Sequence, residues 1–142
     1  MSALPGRVGH VLVILDGTEP SRRALLACAA IADEHAAELS VVALVAHERQ
    51  TWGCGLSSVY WNGVMDDMAE RQLATARVIL DREESRARYR IVSGAGVRGV
   101  RRAADELGCD VVLLAGRGPR HRRLARRVRR AAGPSVVEVR AA

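Results

Sequence analysis

Three near-continuous runs of apolar residues constrain the fold of this chain more than any other feature. They read VGHVLVIL, LSVVALVA and CDVVLLA, and they occupy Val8 to Leu15, Leu39 to Ala46 and Cys109 to Ala115. Apolar runs of this length without polar alternation are typical of strands buried on both faces, as in a parallel sheet covered by helices. The runs therefore predict an α/β fold with an aliphatic core.

Segments with a helical spacing of apolar residues separate these strands. The first predicted helix follows Thr18 and Pro20, which supply a capping residue and a first-turn proline, and it continues to about Ala37. Three more helices are predicted at residues 61–86, 97–107 and 117–130, and two more strands at residues 87–93 and 135–140. Five strands alternating with four helices imply right-handed crossovers and a doubly wound, Rossmann-like parallel sheet.

Length and composition limit what else the chain contains. Its 142 residues fit a single domain over residues 1–142. Three cysteines without a C-x-x-C pair indicate a reducing compartment, and they suggest no zinc site. No apolar run approaches the roughly 20 residues that span a bilayer, and the start of the chain lacks a cleavable signal pattern. We therefore expect a cytoplasmic protein without a metal site.

Positive charge is concentrated in the last quarter of the chain. Residues 111–142 hold nine arginines and one acid, whereas the preceding residues hold 13 arginines and 15 acids. The arginine-rich helix at 117–130 either recruits an acidic partner, anionic lipid or nucleic acid, or is a solvated face in a chain whose 22 basic residues are all arginine. No aromatic stacking platform accompanies this helix, so we do not expect nucleic acid as its partner.

A ligand site is expected at one edge of the sheet. In open α/β sheets, ligands bind beyond the carboxyl ends of the strands where the strand order reverses. The loops after the first and fourth strands, Asp16-Gly17-Thr18 and Ala115-Gly116-Arg117-Gly118, each open a helix whose amides can receive a phosphate. Two purely structural alternatives remain open. In one, Asp16 caps the helix without contacting a ligand, and in the other, the glycines form the turn without binding an anion.

Three passages resemble the universal stress protein family. VLVILDGTEPSRRALLACAAIADEHAAELSVVALV is similar to the family's opening strand, Gly-Ser/Thr turn, helix and second strand. CDVVLLAGRG resembles its fourth strand and the start of its glycine motif, and VRRAAGPSVVEVR resembles its closing helix and strand. The resemblance covers nearly the whole chain. It implies the universal stress protein (HUP-type) fold and a cytoplasmic, dimeric binding protein of the stress response, with last strands paired antiparallel through SVVEVR.

The resemblance also implies an adenine nucleotide site. Asp16 matches the family's strand-one aspartate, Val45 its strand-two contact, and Ala115 and Gly118 the first two glycines of its motif. The second half of that motif is missing, because only fourteen residues separate Gly118 from Gly133 and no Gly-Ser follows at the required spacing. We therefore expect weak binding of ATP or AMP, or of a small anion, with arginines in place of the glycines. The candidate ligand-binding residues are Asp16, Gly17, Thr18, Val45, Ala115, Gly116, Arg117, Gly118, Arg120 and Arg122.

Catalysis is not expected from the two candidate loops. They contain no Ser/His/Asp or Cys/His arrangement and no spaced carboxylate pair, so no catalytic residue is assigned. The resemblance allows slow nucleotide hydrolysis for some family members.

The segment after the second strand concentrates most of the aromatic residues. It contains His47, Trp52, Cys54, Tyr60 and Trp61. Three interpretations remain open for these residues: a lid over a small-molecule pocket, a subunit contact, or a cover for the sheet edge within one chain.

Overall fold

The computed structural model describes residues 7–15, 22–47, 55–116, 118–131 and 135–140, with backbone alone at 55–58 and 135–140. Strands and helices alternate along the chain. The elements are β1 (His10–Leu15), α1 (Arg22–Glu34), β2 (Glu38–Val45), α2 (Gly55–Arg82), β3 (Arg88–Ser93), α3 (Gly96–Leu107), β4 (Val111–Gly116), α4 (Pro119–Arg130) and β5 (Ser135–Arg140).

The strands form one parallel sheet in the order β3-β2-β1-β4-β5. The chain first moves outward from β1 to β2 and β3, and then returns to place β4 on the other side of β1. The strand order therefore reverses between β1 and β4. Among the described residues, the predicted α/β fold with a parallel sheet and four helices is confirmed.

Helices cover both faces of the sheet. Alternate residues of the central strands, among them Val13 and Leu113, pack in one cluster with α1 and the second half of α2. Their neighbours Ile14 and Leu114 pack in a second cluster with α3 and α4. Residues 11–15 and 111–115 are all buried. This two-sided burial is the reason that the strands read as continuous apolar runs.

The longest helix starts earlier than predicted. α2 begins at Gly55 instead of Trp61, so Tyr60 and Trp61 belong to a helix and not to the loop after β2. The side chains of Val59, Tyr60 and Trp61 are more than half exposed, so no apolar stripe marks this first part of the helix. Extending an existing helix requires little free energy per residue, which allows these turns to form without buried contacts.

Two helices end earlier than predicted. α1 ends at Glu34 rather than near Ala37, and α2 ends at Arg82 rather than Arg86. Ala36 has φ +48° and Glu84 has φ +56°, which is the left-handed conformation that ends a helix. Glycine is the usual residue in this conformation, so the sequence carries no signal for either end.

A carboxylate joins β1 to β4 at the amino edge of the sheet. Asp110 was predicted inside the fourth strand, but β4 begins one residue later at Val111. Asp110 Oδ2 instead accepts hydrogen bonds from the amides of Gly9 (2.7 Å) and His10 (2.9 Å). These two bonds hold the pKa of Asp110 below its usual value. The side chain thus fixes the start of β1 against that of β4.

None of the described helices combines the length and apolarity needed to cross a membrane.

Candidate site at the carboxyl ends of β1 and β4

The candidate site lies where the strand order reverses. Leu15, the last residue of β1, is in register with Ala115 on β4 and with Ala43 on β2. From here α1 covers one face of the sheet and α4 covers the other. The carboxyl ends of β1 and β4 therefore lie between two helices on opposite faces of the sheet, which is where α/β proteins bind ligands.

A glycine turn connects β4 to α4. Gly116 ends the strand and Pro119 begins the helix. Gly118 is the N-cap residue with φ +92°, a conformation that residues with a side chain rarely adopt. Gly118 therefore supplies the positive φ that this turn requires, and ligand binding at the turn stays a prediction. The same turn directs the first amides of α4, which have no acceptors within the helix, towards the carboxyl edge of the sheet.

Side chains at the start of α4 are either exposed to solvent or buried in the core. Arg120, Arg122 and Arg123 are exposed. His121 is buried, and with Ala125 and Val128 it forms the inward side of the helix. The exposed guanidinium groups and the helix N-terminus together provide positive charge beside the end of β4.

Val45 lies on the neighbouring side of the site, at the end of β2. Its side chain is buried, and its carbonyl oxygen accepts a hydrogen bond from the amide of Gly94 at 2.8 Å. A carbonyl oxygen has two lone pairs, so this bond leaves room for a second donor. Because β1 lies between β2 and β4, the ends of these two strands are about 10 Å apart, twice the spacing of adjacent strands.

The structure brings together part of the predicted set. Ala115, Gly116, Gly118, Arg120 and Arg122 are at the end of β4 or in the first turn of α4, with Val45 two strands away. Four other predicted residues, namely Asp16, Gly17, Thr18 and Arg117, lie outside the described residues. Trp52 and Cys54 of the predicted lid also lie outside them.

A hydrogen bond at the same edge was not predicted. His47, two residues beyond β2, makes a 2.7 Å contact from Nε2 to Asp66 Oδ1 on α2. The contact ties α2 to the carboxyl end of β2. The sequence offered no signal for it, because Asp66 resembles any acid on the polar side of a helix.

The two described cysteines pack in or against the hydrophobic core. Cys28 is buried among α1 residues, and Cys109 packs against the cluster under α3 and α4. Burial raises the pKa of Cys28 to about 12 and that of Cys109 to about 11. Both thiols are therefore protonated at neutral pH and poor nucleophiles.

Solved structures of several proteins share this fold. The universal stress protein UspA from Lactobacillus plantarum is 17% identical with a TM-score of 0.78, covering 96% of this chain and 100% of that one. A universal stress protein in complex with cAMP is 22% identical with a TM-score of 0.69 and the same coverage. The universal stress protein from Archaeoglobus fulgidus in complex with dAMP is 17% identical with a TM-score of 0.65, covering 92% and 97%. A search of curated protein sequences finds no match.

The family comparison covers almost the entire chain. The model of the universal stress protein family matches residues 8–138, from the residues before β1 into β5. The matched region includes every described strand and helix except the last two residues of β5. The resemblance stated from the sequence is thereby confirmed, and the chain belongs to the universal stress protein family.

Proposed function

We propose that this protein is a cytoplasmic, homodimeric binding protein of the stress response, and that it binds an adenine nucleotide weakly between the ends of β1 and β4. The observation that carries the nucleotide proposal is the convergence of the β1 end, the Gly118 turn and the α4 N-terminus with its exposed arginines. Two structural neighbours crystallised with cAMP and with dAMP support an adenine monophosphate as the ligand.

The start of α4 favours AMP over ATP. A helix runs from Pro119, one residue after Gly118, to Arg130, so these described residues form no second glycine loop that would surround the β- and γ-phosphates with amides. Arg120 and Arg122 can bind one phosphate through charge-assisted hydrogen bonds. We therefore expect ATP to gain little affinity from its two additional phosphates.

Isothermal titration with AMP and ATP at low salt tests this proposal. We expect AMP to bind with a Kd below 1 mM and ATP to bind no more than a few-fold tighter. The double variant Arg120→Gln with Arg122→Gln should weaken AMP binding about tenfold, or about 1.4 kcal/mol, because two guanidinium contacts are lost. Arg88→Gln with Arg90→Gln on β3 is the matched control, since it removes the same charge at the opposite edge of the sheet. Absence of AMP binding at millimolar concentration would reject the site, and ATP binding more than tenfold tighter than AMP would reject the monophosphate preference.

The dimer proposal concerns β5. Among the described residues β5 is the last strand of the sheet and pairs with β4 alone, so we expect its other side to pair with a second copy of the strand. Successive amides of a strand point to opposite sides. One of the two amides at Val136 and Val137 therefore points to β4, and the other points to the open edge.

Proline variants at these two positions separate dimerisation from folding. Light scattering of the wild-type chain should give twice the mass of one chain. Either Val136→Pro or Val137→Pro should give a folded monomer by light scattering and circular dichroism, because proline removes an amide that pairs only across the dimer. The other variant should be destabilised, because it removes a bond to β4. Two folded variants that both remain dimers would reject pairing through β5.

A further inference from the structure

The exposed surface of α4 differs from that of every other described helix. α4 carries seven arginines and no acidic residue over Pro119–Arg130. By contrast, α2 holds three arginines and four acids, and α3 holds three arginines and two acids. A general preference for arginine would raise arginine in all helices, but it would not remove the acids from one. The charge of α4 is therefore a local property of this helix.

The arginines cover the whole outward side of α4. Arg123, Arg126 and Arg130 form its central stripe, directly opposite the buried His121, Ala125 and Val128. The other four lie on the two flanks of this stripe, namely Arg120, Arg122, Arg127 and Arg129. From Arg120 to Arg130 the helix rises about 15 Å, so the surface presents roughly one positive charge per 2 Å of its length.

The concentration of arginines destabilises α4 through repulsion between like charges. The arginine pairs 122/126, 123/127 and 126/130 are four residues apart, where like charges repel. Arg120 and Arg122 also lie in the first turn, at the positive end of the helix dipole. Within the described residues, no ion pair joins Arg123, Arg126 or Arg130 to a carboxylate. An anion from outside the chain would relieve this repulsion.

The residues and the charge density of the α4 surface favour one class of anionic partner over the others. Its exposed residues are arginines and Pro119, and it offers no apolar side chain that could insert into a lipid surface. An extended peptide carries at most one charge per about 3.3 Å, whereas duplex DNA carries one per about 1.7 Å of its axis. The density of charge on α4 is closer to that of the duplex. The sequence-based expectation against nucleic acid depended on the missing stacking platform. Such platforms serve single strands, and a duplex backbone requires none, so that expectation does not apply to duplex DNA.

We propose that the arginine surface of α4 binds the phosphate backbone of duplex DNA. An α-helix with its side chains is about 10–12 Å wide and the major groove is about 12 Å wide, so the flanking arginines can reach both strands. The narrow major groove of duplex RNA does not admit a helix in this way. The proposed contacts are to phosphates, which carry no sequence information, so we expect binding that is independent of sequence.

Fluorescence anisotropy with two labelled 20-base-pair DNA duplexes of unrelated sequence, in 50 to 200 mM NaCl, tests this proposal. We expect the two duplexes to bind equally, with Kd values of about 1–100 μM that rise steeply with salt. The variant carrying Arg123→Gln, Arg126→Gln and Arg130→Gln should bind at least tenfold more weakly at 50 mM NaCl. Its slope of log K against log[salt] should be shallower by about 2.7, since three phosphate contacts are lost.

A control variant of equal charge separates the α4 surface from net charge. Arg82→Gln, Arg86→Gln and Arg90→Gln change exposed residues at or after the end of α2, and this variant has the same net charge as the α4 variant. Its DNA affinity should stay within about twofold of wild type. The α4 variant should keep its fold by circular dichroism, and it should bind AMP like the wild type, because Arg120 and Arg122 are unchanged.

Three results would overturn the proposal. The first is no binding of the wild-type chain to DNA at 50 mM NaCl, and the second is an equal loss of affinity in the two triple variants. The third is tighter binding to polyglutamate, to phosphatidylserine vesicles or to duplex RNA than to DNA at equal charge concentration. A failed AMP titration of the wild-type chain would reject the nucleotide site alone.

Discussion

Replacing Gly99 with alanine should lower the free energy of unfolding by about 2 kcal/mol, because α3 has no room for a side chain where it meets the end of β3. A Cβ atom at Gly99 would lie 2.8 Å from the carbonyl carbon of Gly94 and 3.1 Å from Leu44 Cδ1. The closer neighbour is backbone, and it belongs to a residue that is itself fixed. Gly94 has φ +146°, and its amide donates to the carbonyl of Val45. The new methyl group must therefore push α3 away from the sheet, which we expect to lower the melting temperature by about 5–10 °C.

Gly63→Ala is the matched control, since it is the same substitution in another helix. Gly63 is exposed on α2, and a Cβ atom there would meet no other atom within 4 Å. Alanine favours the helix over glycine by up to about 1 kcal/mol, so this variant should be slightly more stable than the wild-type chain. Urea unfolding followed by circular dichroism measures both changes. Equal stability of the Gly99 and Gly63 variants would show that α3 does not approach β3 as closely as described.

The fold could be predicted where the sequence repeats one pattern many times. Each central strand contributes a run of apolar residues, and every residue of the run indicates a strand that is buried on both faces. The ends of the helices could not be predicted in this way, because each depends on one residue. Ala36 and Glu84 adopt positive φ without being glycines, and the exposed start of α2 has no apolar stripe. These ends depend on the conformation of single residues and on extension of an existing helix, and neither leaves a repeated pattern in the sequence.

The candidate site could be predicted in part for a similar reason. Parallel strands place their carboxyl ends at one edge, so the loops after β1 and β4 must meet once the strand order is known. The loop that contains Gly118 was therefore predicted from its position, whereas Arg120 and Arg122 were proposed from the family resemblance. The pair of His47 with Asp66 and the contact between Gly94 and Gly99 join residues from separate elements. Neither spacing nor residue type indicates that such residues meet.

Truncation of adjacent leucines in β4 tests the two-sided burial from which the fold was predicted. Leu113 packs with α1 on one face of the sheet, and Leu114 packs with α3 and α4 on the other. Both side chains are at most 1% exposed. Leu113→Ala and Leu114→Ala should therefore each lower the free energy of unfolding by about 3 kcal/mol, through lost burial and the cavity that remains. Urea unfolding of the two single variants measures these values.

Strand β3 provides the comparison, because it lies at the edge of the sheet and one of its faces is less covered. Val92 is 3% exposed, whereas its neighbour Ile91 is 37% exposed. Val92→Ala should therefore lower the free energy of unfolding by about 2 kcal/mol, and Ile91→Ala should lower it by less than about 1 kcal/mol. The loss of stability should thus differ between adjacent residues of β3 but not between adjacent residues of β4. If Leu114→Ala cost less than about 1 kcal/mol while Leu113→Ala cost about 3, α3 and α4 would not cover the second face. The helix whose arginines we propose to bind DNA would then not pack against the sheet as described, so this pair of leucines also tests the placement of that surface.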